Sequence, residues 1–196
     1  LKTKDLSEQN KKKALDIIDI EVDRLKNLIN ELLTLSRVEN TLDIKEKELV
    51  DIEPILYNVI SLLETQKKAK GIEIKVFIEE DIPKIIGDRD LLHLVLINLI
   101  ENSIKYGRKE GFVKINLSSY KTGIQISVED NGFGISEEDR KRIFESFYRA
   151  EKSRLNDDKS TGLGLSIVKN IINLLGGTIE VESQLSKGSK FTLRLK

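Results

Sequence analysis

Cysteine is absent from the 196 residues, which excludes disulfide frameworks, thiolate metal sites and cysteine nucleophiles. Histidine occurs once, at His93, and this argues against His-rich metal clusters and His-containing catalytic triads. Neither sign of charge prevails, because 33 basic residues balance 33 acidic ones. With aromatics at only 5% and no basic stripe among them, nucleic acid is not an expected partner. No apolar run approaches the ~20 residues of a membrane span, and no signal-peptide pattern opens the chain. Internal repeats and low-complexity tracts are missing too. The chain starts at Leu1 rather than methionine and reads as a fragment of a longer protein, soluble and in a reducing compartment. What is present, 39% hydrophobic residues, suffices for one core with a helical piece appended.

Two regions with different patterns follow. In the first, Leu15, Ile18, Val22, Leu25, Ile29 and Leu32 recur at alternating spacings of three and four, an a/d seam. The spacing predicts one long helix over Leu6–Val38, capped at Ser7 and ended by Glu39-Asn40. Such a helix does not hold in water on propensity alone, so it wants partners. Leu28, Leu33 and Leu35 widen its apolar stripe, which favours a four-helix bundle; packing on its own domain is the alternative. From Thr41 the pattern becomes mixed. A strand is expected over Leu49–Ile52, then a helix over Ile52–Lys70 stopped at Gly71, and a strand alternating through Ile72, Ile74, Val76 and Ile78. Pro83 and Gly87 lead into a helix over Asp88–Tyr106. Strands Phe112–Ser119 and Gly123–Glu129 meet at a turn near Lys121-Thr122. A short helix over Glu137–Phe144 precedes a polar segment, Ala150–Ser160. Helix Leu163–Leu175 closes at Gly176-Gly177, and strands Thr178–Ser183 and Lys190–Leu195 finish the chain. The expected class is α+β: a two-layer sandwich with an open, mixed, mainly antiparallel sheet and helices on one face, preceded by a long N-terminal helix. Residues 1–40 and 41–196 are the expected units.

A polar stripe on an otherwise apolar helix is the first candidate site. Asn98, Asn102 and Lys105 fall within roughly 80° of arc, while Leu92, Leu96, Leu99 and Ile100 lie outside it. Unpartnered polar groups on a buried face cost about 1–3 kcal/mol each, so packing alone does not favour the stripe. Carboxamides that ligate a hard cation, with an ammonium one turn on, suit a magnesium nucleotide; a solvent-facing stripe is the plain alternative. Asp130-Asn131-Gly132-Phe133-Gly134 follows a strand. It reads either as a turn or as a carboxylate accepting from an adenine amino group, with glycines admitting close backbone approach. Thr161-Gly162-Leu163-Gly164-Leu165-Ser166 opens a helix, where backbone amides and the dipole form an anion site; a flexible loop with an ordinary cap is the alternative. It is neither a Walker A loop nor a Rossmann fingerprint. In Ile143-Phe144-Glu145-Ser146-Phe147-Tyr148-Arg149 the phenylalanines read as anchors. Arg149 stands at the mouth of Ala150–Ser160, whose closing as a lid would bring its cation to a terminal phosphate.

In this order and spacing the four stretches resemble the N, G1, F and G2 boxes of the ATP-binding domain of sensor histidine kinases, a family that includes gyrase- and Hsp90-type ATPases. The resemblance runs from Leu42 to Lys196. The preceding helix, through Asp23-Arg24-Leu25 and Leu32-Leu33-Thr34-Leu35-Ser36-Arg37, resembles the second helix of the kinases' dimerisation hairpin. The cofactors so implied are ATP and Mg²⁺. By the same resemblance Asn98 and Asn102 hold the metal and the phosphates, Lys105 contacts phosphate and Tyr106 lines the nucleotide. Asp130 reads the adenine amino group, with Gly132, Gly134 and Ile135 around the base. Tyr148 and Arg149 reach the ribose–phosphate end. Thr161, Gly162, Leu163, Gly164 and Leu165 wrap phosphates and base, and Thr192 stands behind adenine. Asn98, Asn102, Lys105 and Arg149 form the implied catalytic set. The implied partners are the receiver domain of a response regulator and, through the N-terminal helix of the full-length protein, a second copy. The implied location is the cytoplasmic portion of a membrane-bound sensor, with any membrane contact made by segments outside this chain.

Related hydrolases carry a water-activating glutamate where this chain has Asn98, and a carboxamide cannot act as a base. Glu101 is rotated about 60° off the stripe and substitutes poorly. The resemblance therefore implies γ-phosphoryl transfer to a histidine, for relay to an aspartate of the response regulator. The family's acceptor, a histidine followed by an acidic residue and soon by proline, does not occur in this sequence. His93 is followed by Leu94-Val95 and reads as structural. The chain is thus expected to bind Mg-ATP without phosphorylating itself. An ATP-hydrolysing relative, a serine kinase of the same family, and a non-catalytic dimerisation or docking module are the alternatives.

Overall fold

Strict alternation of apolar residues builds one sheet with a single core face. In the computed structural model, which describes residues 8–40, 48–150 and 161–196, the strands of this sheet are β2 (Glu73–Ile78), β4 (Phe112–Tyr120), β5 (Gly123–Asp130), β6 (Thr178–Gln184) and β7 (Gly188–Leu195). Their order is β2-β4-β5-β7-β6. Only β2 and β4 run parallel; the other three pairings are antiparallel. Ile124, Ile126 and Val128 of β5 register with Leu195, Leu193 and Phe191 of β7, and all six are buried. Lys114, Gln125, Lys190 and Arg194 alternate with the buried residues of their strands and line the opposite, polar face. The α+β sandwich with a mixed, mainly antiparallel sheet is therefore the observed class.

The helical layer covers the apolar face. It comprises α1 (Glu8–Asn40), α2 (Ile52–Leu62), α3 (Glu64–Lys70), α4 (Arg89–Tyr106), the single turn α5 (Glu137–Arg140) and α6 (Gly164–Leu174). Asp88 caps α4, its Oδ1 accepting from the amides of Asp90 and Leu91 at 2.9 and 3.0 Å. Leu92, Val95, Leu96, Leu99, Ile100 and Ile104 of α4 are buried, as the helical period demands. A separate two-stranded ribbon pairs β1 (Glu48–Val50) with β3 (Ile85–Gly87), a short strand that the residue pattern did not single out.

Several boundaries differ from expectation. The helix expected over Ile52–Lys70 breaks at Leu63, whose ψ of 4° leaves the helical region. α2 buries Ile52, Ile55, Leu56 and Val59, whereas α3 buries nothing, so the break separates a core helix from a surface one. α5 is one turn, capped by Ser136, and the chain to Phe147 continues as turns rather than helix to Phe144. α1 passes through Glu39 to Asn40. The expected Ser7 cap and residues 151–160 of the expected Ala150–Ser160 lid lie outside the described residues.

α1 presents two faces with different fates. The seam residues Leu15, Ile18, Val22, Leu25, Ile29 and Leu32 are exposed. Leu35 is buried in the core cluster, Leu28 is half-buried against it, and α1 lies against α6. The extra leucines that widen the stripe thus include a second, domain-facing contact.

Candidate functional site

The polar stripe of α4 faces the start of α6. Asn98 donates its Nδ2 to the Leu94 carbonyl at 2.8 Å, which turns its Oδ1 toward the start of α6. A Cβ placed on Gly164 would lie 2.4 Å from that oxygen, so glycine alone admits this approach. Asn102 and Lys105 are half-buried further along the stripe, with Lys105 Nζ 5.7 Å from the Tyr106 ring centroid. Glu101 is held off the stripe by Gln66 of α3, which donates to its Oε1 at 3.1 Å. His93 faces α2, where its Nε2 lies 3.2 Å from Asn58 Oδ1.

The end of α4 meets the turn that follows β5. The Tyr106 carbonyl accepts from the Phe133 amide at 3.2 Å and packs so closely on Gly132 that a Cβ there would come within 2.2 Å of it. Asp130 closes β5, is buried, and accepts from the Gly132 amide at 2.8 Å. Burial pushes its carboxyl up to about 6, opposed by the amides of Gly132 and Ser189 and by the Lys70 ammonium. Lys70 itself donates to the carbonyls of Ile104 and Lys105 at the end of α4. Gly134, at φ +68°, lies against the Gln184 carbonyl, and Ile135 donates its amide to Ser183 Oγ at 2.8 Å.

Thr192 does not share this site. In β7 it registers with Ser127, whose hydroxyl accepts from Asn116 at 3.1 Å on the polar face of the sheet. Side chains alternate along a strand, so the β7 residue on the Asp130 face at the Asp130 level is Ser189. Its Oγ lies 2.9 Å from Ser183 Oγ. The place expected for Thr192 is thus held by a serine three positions earlier, odd in spacing and therefore opposite in face.

The remaining motifs are joined to each other before they reach α4. Phe147 takes the left-handed conformation, at φ +65°, and donates its amide to the Gly162 carbonyl at 3.0 Å. Gly162, at φ +78°, has no room for a side chain against the backbone of Phe147 and Tyr148. The Tyr148 hydroxyl is donated to Asp139 at 2.6 Å, and the Arg142 guanidinium lies over its ring at 4.3 Å. Arg149 is half-buried beyond it. Thr161 accepts the Leu163 amide at 3.2 Å, Leu163 is buried, and Leu165 is half-buried. α6 then begins at Gly164 without a side-chain cap, leaving first-turn amides available to an anion.

Ser189, Lys70, Asp139 and Glu31, which binds Thr161, lie outside the four motifs. Only Ser189, next to Gly188 after a turn, carried a local signal. Among the described residues no group of three or more His, Asp or Glu side chains is placed to hold a metal. The donor chemistry still fits Mg²⁺, which is commonly held by few protein ligands together with nucleotide phosphates. Among the described residues no helix is long and apolar enough to cross a membrane.

Comparison with known proteins converges on one group. A family model described as histidine kinase-, DNA gyrase B-, and HSP90-like ATPase matches residues 87–196. Sensor-like histidine kinase SenX3 of Mycobacterium tuberculosis is 35% identical over 176 residues, 90% of this chain and 43% of that protein. Full-length ShkA in complex with AMPPNP superposes with a TM-score of 0.82 at 28% identity, covering 98% of this chain and 40% of that one. Histidine kinase ThkA in complex with response regulator protein TrrA gives 0.73 at 26% identity, covering 97% and 52%. The chain therefore spans less than half the length of its curated relative.

Proposed function

Since this chain belongs to the histidine kinase-, DNA gyrase B- and HSP90-like ATPase family, we propose that it binds Mg-ATP and transfers the γ-phosphoryl group to a histidine on a separate helical hairpin. One observation carries the proposal: the Asn98 oxygen, oriented by Leu94, faces the uncapped start of α6, with no carboxylate on the stripe to activate water. Asp130 accepts the adenine amino hydrogen, and Gly132 and Gly134 let backbone border the base. Asn98, Asn102 and Lys105 flank the phosphates from α4, and the amides of Gly164 and Leu165 face them from α6. Arg149 serves the ribose–phosphate end, with Tyr148 positioned by Asp139. Bound Mg²⁺, held by Asn98 and Asn102 together with the phosphates, supplies neutralisation of phosphate charge. The acceptor imidazole nitrogen attacks phosphorus, the bond to the β-phosphate oxygen breaks, and ADP departs. Onward transfer goes to an aspartate in the receiver domain of a response regulator, and a response regulator protein is the partner in the ThkA complex. Residues 1–40 serve dimerisation through the open seam of α1, and 41–196 serve catalysis.

Titration with a fluorescent ATP analogue, then transfer of label to a separately supplied hairpin, tests the proposal. Labelled hairpin histidine is expected, lowered about a hundredfold or more by Asn98→Ala. Steady phosphate release without a hairpin, abolished by the same change, would favour a hydrolase instead. No nucleotide binding at millimolar concentration would leave a docking module. A subtler variant, Gly164→Ala, pushes a methyl against the Asn98 oxygen. It should leave unfolding temperature nearly unchanged, alanine being a better helix former, and weaken nucleotide binding by about tenfold.

A further inference from the structure

Glu31 of α1 meets Thr161 of the candidate site, although it belongs to none of the four motifs. The Thr161 hydroxyl donates to its carboxylate while accepting the Leu163 amide. Across the gap Glu31 is attracted by Lys105 and repelled by Glu101, both on α4. Burial raises its carboxyl from the ordinary value, and the Thr161 bond opposes that rise. The carboxylate is carried there by packing: α1 lies on α6, with Leu35 in the core cluster and Leu28 packed against it. A negative charge is thus built in beside the cation and the loop proposed to receive phosphates.

We infer that Glu31 is a specificity-determining residue of this nucleotide site, setting its preference among adenine ligands by their phosphate charge. The inference rests on the nucleotide reading of the site. A fixed carboxylate offsets part of the attraction that Lys105 exerts on phosphates, and its repulsion grows with each phosphate added. Adenosine, uncharged and anchored at Asp130, escapes that repulsion. The helix assigned to dimerisation would therefore contribute directly to ligand choice in the catalytic unit.

Glu31→Gln keeps an oxygen for Thr161 and removes the charge; Glu31→Lys reverses it. Calorimetric titration of the 196-residue chain with Mg-ATP, Mg-ADP and adenosine measures the effect. In low salt the glutamine variant should gain roughly three- to tenfold affinity for Mg-ATP, less for Mg-ADP and none for adenosine. The lysine variant should extend that order, and both gains should shrink in about 1 M salt. Equal changes for all three ligands, or an unchanged Mg-ATP affinity, would overturn the role of Glu31 while leaving the nucleotide site standing. Failure of the unaltered chain to bind any of the three would overturn the underlying nucleotide reading instead.

Discussion

Asp130→Asn should lose adenine-nucleotide binding by about a hundredfold while the protein becomes more stable at neutral pH. The binding loss follows from polarity: an amide NH₂ presented to the adenine amino group sets donor against donor, and a buried mismatch forfeits about 2–3 kcal/mol. The stability gain follows from burial. In the native state the carboxyl is pushed up to about 6, against an ordinary value of 3.8. The folded protein therefore keeps a proton that the unfolded chain has already released. Stability from this group is complete below about pH 4, falls as pH rises toward 6, and stays low above. Asparagine removes that decline and restores on the order of 2–3 kcal/mol at pH 7. Its Oδ1 still accepts from Gly132, so the turn survives. Urea unfolding at pH 4, 5, 6 and 7 measures both curves. Parallel curves for the two proteins would show that Asp130 is not the group responsible. Nucleotide affinity of the unaltered protein should weaken below pH 6, as the acceptor becomes protonated.

Gly132→Ala should unfold the protein roughly 10 °C earlier and abolish nucleotide binding together with it. The methyl would lie 2.2 Å from the Tyr106 carbonyl oxygen and 2.7 Å from Asp130 Oδ1. The first contact is with backbone at the end of α4, which cannot swing aside as a long side chain does. Relief requires moving the turn off the helix, breaking the Phe133 amide bond to Tyr106, at about 3 kcal/mol. Gly176→Ala is the matched control. Gly176, unlike Gly132, takes positive φ, at +71°, but nothing lies within 4 Å of its missing Cβ. Only backbone strain of about 1 kcal/mol is expected there. Equal melting temperatures for the two variants would remove the steric argument.

The residues that announced the site did so through period and composition. Asn98, Asn102 and Lys105 fall on one stripe because a helix repeats every 3.6 residues whatever surrounds it. Asp130 and the glycines after it mark a strand end and a close approach, and the structure supplies both partners of that approach. Thr192 shows where such reading stops. A threonine in the last strand matches the motif in type, but register with β5 puts it on the polar face and Ser189 on the other. A shift of an odd number of residues inverts the face, and nothing local to the strand declares it. The leucines added to the α1 seam divide between two surfaces. Leu35 widens the stripe because the helix has two surfaces to satisfy, and α6 takes one of them.

Taken alone, the order of amino acids determined the class of fold, the helix carrying the stripe, and the turn and loop motifs that face it. These follow from short-range rules, since hydrophobic period, capping and glycine placement act within a few residues. Tertiary structure alone decided which side chains complete the site. Lys70 reaches carbonyls on α4, Asp139 receives Tyr148, and Glu31 meets Thr161 from 130 residues away in sequence. Electrostatic and hydrogen-bonding partners are chosen by distance in space, and burial, which raises Asp130, exists only once the layers have closed over it.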